Sequence, residues 1–260
     1  MIRIIRSLFY SFVRKSMMLK MFFLMLLLTA AEVYVFSVSS IGCDGPTAGE
    51  FAATYTNMLS TIAEIFAVIN AVWICTMDFG DKTANYELMT GHTRLQIFSA
   101  RIVMSLITGI SGYLLIIIIP VIIAAILWGW GSCIYLSDMI FRWLMLIFPM
   151  ARIIMEFTFL AFIIRKPAPA IILSFMINEF LTVVPMSAEM SSTSCILGTA
   201  NLSKLVNIDS WTTYGLEKIY LTFDTMLPSS YIASTIAASV IASTIFFCLG
   251  YTFFRYDDID

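Results

Sequence analysis

Five ionisable side chains, Glu32, Glu64, Arg152, Glu156 and Glu179, stand inside long apolar runs of this sequence. A charge at the centre of a bilayer costs at least about 2.5 to 3.5 kcal/mol on insertion scales, so each should face protein or water and pair where it can. Glu156 follows Arg152 by one helical turn, on the same face, where the two can form a structural ion pair. Four acids against one arginine leave a formal excess of three negative charges, to be met by protonation, water or a cationic ligand. Two chemistries fit. Glu64, Glu179 and Glu32 line a path for a cationic or amphipathic substrate, or the group is an internal ion-pair network that fixes helix packing. Glu32 is 12 residues from Lys20, Glu64 is 14 from Asp78, Arg152 is 13 from Arg165 and Glu179 is 13 from Lys166. At 1.5 Å per residue, all four are expected at a similar depth, roughly 20 Å from the inner membrane border.

The usual catalytic signatures are missing. The sequence has no GxxxxGK[ST], HExxH, GxSxG or GxGxxG motif, so it is not expected to bind ATP in the common way or to act as an enzyme. An intramembrane hydrolase with unfamiliar chemistry is the remaining enzyme reading. A single histidine and no CxxC pair argue against a metal site, and the basic residues are explained by topology rather than by nucleic acid.

The elements that must carry these residues are membrane spans. Hydrophobic residues make up 60% of the 260 positions and charged residues 12%, against roughly 25% charged in a soluble domain. Ile102 to Ser137 alone runs thirty-six positions without Asp, Glu, Lys or Arg. The expected fold is an all-α membrane protein, one transmembrane domain over 1–260. Its six spans are placed at about 20–39, 57–77, 99–127, 139–164, 167–187 and 232–254. Eleven basic residues fall on one side: Arg3, Arg6, Arg14, Lys15, Lys20, Lys82, Arg94, Arg101, Arg165, Lys166 and Arg255. Only Lys204 and Lys218 fall on the other, with Arg142 near its border, so both termini are expected in the cytoplasm.

Residues 1–18 space Ile5, Leu8, Phe9 and Phe12 as one helical face apart from most of the basic residues, which fits an interfacial helix on the anionic inner leaflet or a basic topogenic start. The first span is too long for a cleaved signal peptide and carries Glu32. Cys43, Cys133 and Cys195 are expected outside, where one disulfide could form, and Cys75 and Cys248 within spans. Ala188 to Ser230 is long for a plain connection, and its Leu202, Leu205, Trp211, Tyr214, Ile219, Tyr220 and Phe223 suit short helices at the outer interface, as a gate or a lid.

Between spans 2 and 3, DFGDKTANYELMTGHTRLQIFSAR (78–101) concentrates six charged residues and the sole histidine. Asp81 or Thr83 can cap a short helix over about 83–90, Gly91 suits the left-handed position that ends it, and Thr93-Arg94-Leu95-Gln96 reads as a capping box restarting the chain into span 3. A short helix held between two spans could transmit a push from a soluble partner; it could equally be an ordinary charged loop.

Asp78-Phe79-Gly80-Asp81-Lys82-Thr83, then Leu88 to Arg94, then Ala100-Arg101, resembles the cytoplasmic segment of membrane subunits of type-2 ABC exporters. Lys82 stands where that family usually has Gly, and Arg101 where it usually has Lys. The ending Phe253 to Asp258 resembles the family's aromatic-basic-acidic tail. Within the family the chain resembles the small bacterial permeases of lantibiotic immunity and peptide-antibiotic export. The resemblance implies a permease whose 82–92 segment is a coupling helix docking on a separate ATPase, with Lys82, Thr83, Tyr86, Glu87, Leu88, Met89, Gly91 and Arg94 as coupling residues. It implies two ATPase copies carrying ATP and Mg, a second identical or homologous permease, spans 2 and 5 near the central interface, and export across a bacterial plasma membrane. A non-transporting scaffold that anchors a soluble partner is the alternative.

Overall fold

A computed structural model describes residues 2–14, 16–39, 46–80, 91–131, 135–187, 210–214, 217–221 and 229–256. Their elements are α1 (Ile2–Arg14), α2 (Met17–Ser39), α3 (Ala48–Gly80), α4 (Arg94–Trp128), α5 (Leu136–Met145), α6 (Ile147–Ile164), α7 (Pro167–Ser187), β1 (Ser210–Tyr214), β2 (Glu217–Leu221) and α8 (Ser229–Tyr256). Among the described residues, five helical stretches are long and apolar enough to cross a membrane, in α2, α3, α4, α5–α6 and α8, the architecture of a multi-pass membrane protein. α7, of 21 residues, occupies the place of the expected fifth of six spans, and the apolar stretch among its described side chains is Pro167–Ile177.

Local chemistry explains the breaks. Thr93 Oγ1 accepts from the Gln96 amide and the Gln96 side chain accepts from the Thr93 amide, the reciprocal box that starts α4. Gly91 just before it has φ +86°, a conformation open to glycine at little cost. The expected span 139–164 is two helices meeting at Leu146. Pro149 has no amide to donate to the Met145 carbonyl, so the ladder is interrupted there. Arg165, at φ 57°, ends α6 in the left-handed conformation, and Pro167 opens α7, where its missing amide costs nothing.

The centre of the bundle is α3 against α4, with α6 closing over both. Glycines bring them together. A Cβ on Gly109 would stand 2.8 Å from Ile154 Cδ1, and one on Gly112 would overlap the Phe66 ring. Three polar pairs tie α3 to α4: Ser60 and Tyr113 hydroxyls at 2.6 Å, Asn70 Nδ2 donating to Thr108 Oγ1 at 2.7 Å, and Cys75 Sγ with Ser105 Oγ at 3.7 Å. At one end of the bundle, the Ala48 and Gly49 amides donate to the Gly129 and Trp130 carbonyls at 3.0 and 2.9 Å, beside a cluster of Phe36, Phe51, Tyr55 and Trp128. The opposite end carries Arg94, Arg101 and Arg255; we call it the basic end.

α1 is less simply amphipathic than its sequence suggests. Ile4 and Leu8 are buried, Ile5 and Phe12 are partly buried, and Phe9 and Val13 stay exposed along with Arg6, Tyr10 and Arg14. The helix packs on α4. Leu8 therefore faces the bundle, and the exposed face of the helix carries both apolar and basic residues.

Within the segment expected to hold short helices, the described residues 210–214 and 217–221 are not helical: β1 and β2 form an antiparallel hairpin with Trp211 opposite Tyr220 and Thr213 opposite Lys218. Thr, Trp, Tyr and Ile at these positions favour the pleated surface, and only two residues separate the strands in sequence. Leu202, Leu205 and Phe223 lie outside the described residues, as do Cys43, Cys133 and Cys195; Cys75 is a buried thiol and Cys248 an exposed one.

Gly112→Val should lower the apparent melting temperature of the detergent-purified chain, at a cost of about 2 kcal/mol, because the Phe66 ring must give way. Ser111→Ala beside it, where the side chain is exposed, should leave melting unchanged. Equal melting of the two variants would contradict the close α3–α4 approach.

Candidate functional site

Two features can carry function: the ionisable residues within the helices and the joint at the basic end. Arg152 and Glu156 are both 6% exposed on α6 and interact electrostatically, as their spacing implies. Among the described residues no hydrogen bond reaches Arg152 Nε or Nη1. Glu64 is half-buried on α3 and acts electrostatically on Tyr113, whose hydroxyl meets Ser60 one turn away from Glu64. Glu156 is the one electrostatic partner that the described residues give Arg152. The structure thus holds two centres, Arg152–Glu156 on α6 and Glu64–Tyr113–Ser60 between α3 and α4.

Contacts between helices set the levels of these groups. Gly109 of α4 lies against both Ile154 and the Ala67 carbonyl, so Arg152 and Glu64, two and three residues further from the basic end, lie within about one turn of one another. Phe157 packs on Phe175, which puts the backbone of Glu179 on α7 beside that of Ile153; its side chain lies outside the described residues. These three share a level, as expected.

Glu32 does not. Phe22 packs on Phe66, and Phe36 on Phe51 and Tyr55, so α2 at Glu32 stands beside α3 near residue 57. That is seven residues from Glu64, about 10 Å further from the basic end. The equal-depth expectation took Lys20 and Asp78 as one border. Lys20 instead stands beside α3 near residue 68, and twelve residues of α3 remain from there to Gly80, about 18 Å. The ends of α3 and α4 therefore project past the level at which α1 and α2 meet.

At the basic end, Arg94 Nη1 donates to the carbonyl of Arg255 at 2.8 Å and of Phe254 at 3.5 Å. Phe98, one turn on, packs on Phe162 of α6 and on Phe247, Tyr251 and Phe254 of α8, with ring centroids 4.8 to 5.9 Å apart. Gly91 and Arg94 are thus placed at a joint of three helices. Lys82, Thr83, Tyr86, Glu87, Leu88 and Met89 lie outside the described residues.

No family model matches the chain. No curated protein matches it.

Sequence reasoning missed the Ser60–Tyr113 and Asn70–Thr108 ties and the complete burial of Arg101. Asn70 inside an apolar run was a usable signal, because a span amide needs a partner on another helix. Arg101 gave none beyond its charge, which read as topology.

Glu156→Gln should destabilise the folded chain by about 3 kcal/mol, since it leaves the buried Arg152 charge uncompensated. The double variant Arg152→Met with Glu156→Leu should unfold within about 1 kcal/mol of wild type or above it. Chemical unfolding in detergent reads both; a double variant weaker than the single would refute the pairing.

Proposed function

We propose that the chain is the permease subunit of an ATP-driven type-2 ABC exporter, moving an amphipathic peptide, antibiotic or similar hydrophobic substrate out of a bacterial cell or its plasma membrane. The single observation that carries the reading is the joint at the basic end. There a positive-φ glycine and a capped helix start deliver Arg94 onto the end of α8, at the sequence position that resembles the family's coupling segment. In this reading both termini and the basic end face the cytoplasm, α7 completes six spans, and residues 82–92 dock on the ATPase. The projection of α3 by about 18 Å past Lys20 gives that segment reach beyond the headgroups.

ATP and Mg belong to two partner ATPase copies, and a second permease, identical or homologous, completes the assembly. The path runs beside Glu64. Thr61 and Met58, exposed and about one and two turns from it on α3, leave an open face at which a cationic or amphipathic group could be met. Glu179 on neighbouring α7 adds negative charge at that level. Glu32, about 10 Å further along, would be met later on the way out.

Affinity purification from the native membrane should bring down an ATPase bearing a phosphate loop, with ATP hydrolysis stimulated by substrate. Leu88→Asp with Met89→Asp should lower export per ATP hydrolysed about tenfold or more while the spans still insert. Capture of a soluble partner without ATPase activity would replace this reading with a membrane scaffold. Glu64→Gln with Glu179→Gln should weaken export of a cationic substrate with little change in folding; undiminished export would remove the acids from the path.

A further inference from the structure

We propose that Arg94 is a positioning residue that makes the last helix move with the start of α4. The consequence for transport rests on the exporter reading above; the mechanism rests on geometry alone.

A helix ends with carbonyls that lack intrahelical partners. α8 ends at Tyr256, and two of its last carbonyls, Phe254 and Arg255, accept from Arg94 Nη1. The donor is charged and the acceptors sit at the negative end of the helix dipole, so both terms favour the contact. Arg94 is not a loop residue reaching across. It is the first residue of α4, held by the Thr93–Gln96 box, so the guanidinium is carried by a defined backbone.

A second grip lies one turn along. Phe98 is 1% exposed between α6 and α8, and Gly250 makes its space: a Cβ there would stand 3.0 Å from Phe98 Cζ. The polar clamp and the aromatic wedge act on one stretch of α8, residues 247–255, from one turn of α4. Along the rest of its length α8 has few fully buried residues and packs chiefly on α6. A displacement of the first turn of α4 is therefore handed to α8, whose 28 residues carry it about 42 Å to the residues before Ser229. The joint links the segment that precedes α4 with the far side of the bundle, bypassing the central α3–α4 pair.

Arg94→Gln and Arg94→Lys test this in two arms. In the full chain alone in lipid nanodiscs, Arg94→Gln should speed hydrogen exchange of amides 250–256 about tenfold, with Arg94→Lys between it and wild type and the start of α3 unchanged. In the complex with its ATPase, Arg94→Gln should keep ATP hydrolysis while export per ATP falls about tenfold, and Arg94→Lys should recover much of it. A lesion of folding alone would lower hydrolysis and export together. Unchanged exchange, or hydrolysis and export falling in proportion, overturns the role given to Arg94. A wild-type chain that recruits no ATPase overturns the exporter reading and its transport consequence, and the exchange arm then decides the clamp by itself.

Discussion

Hydrocarbon offers a backbone no hydrogen-bond partners, so helices satisfy their interiors and leave the problem at their ends. In this chain those ends organise the bundle. The first amides of α3 take the carbonyls of Gly129 and Trp130, which joins the ends of α3 and α4 away from the basic end. α4 begins on its own side-chain box, and α8 finishes on the guanidinium that α4 supplies. Each solution costs some sequence freedom, a glycine, a threonine or an arginine at one position, and each joins segments otherwise free to slide. Between the two ends, glycines and short polar pairs hold α3, α4 and α6 close, as expected where apolar burial gives no preference for protein over lipid.

The ionisable residues follow the same economy. Arg152 and Glu156 lie on one helix, so their mutual attraction is set by α6 alone and needs no other span to hold a register. Glu64 belongs to a different centre, beside Tyr113 and Ser60, at the edge of an open face. Burial of Arg152 Nε and Nη1 with no hydrogen bond among the described residues is a costly arrangement. It fits a packing role for the α6 pair, while Glu64 is only half-buried.

Sequence and structure part company where a residue has more than one neighbour to choose from. Leu8 belonged to an apolar face in either account, but only contact with α4 assigned it to protein instead of lipid. Residues 210–221 showed an aromatic, β-branched composition that serves an interfacial helix or a hairpin, and strand pairing took it. Arg101 read as a topology charge and is fully buried at the basic end. Of the expected coupling residues, Gly91 and Arg94 are placed by the fold, and the rest of that segment lies outside the described residues.

By itself the sequence determined the apolar helical runs, the capping box at Thr93, the left-handed glycine at 91 and the facing of Arg152 with Glu156. All of these act through the backbone within one or two turns and need no distant partner. Only the tertiary structure decided that Arg94 ends α8, that Glu32 stands about 10 Å from the level of Glu64, and that α3 runs on past Lys20. Axial offset between helices has no local signature. It is fixed by rings and glycines such as Phe22 on Phe66 and Gly109 beneath Ile154, which meet only after the chain has turned back on itself.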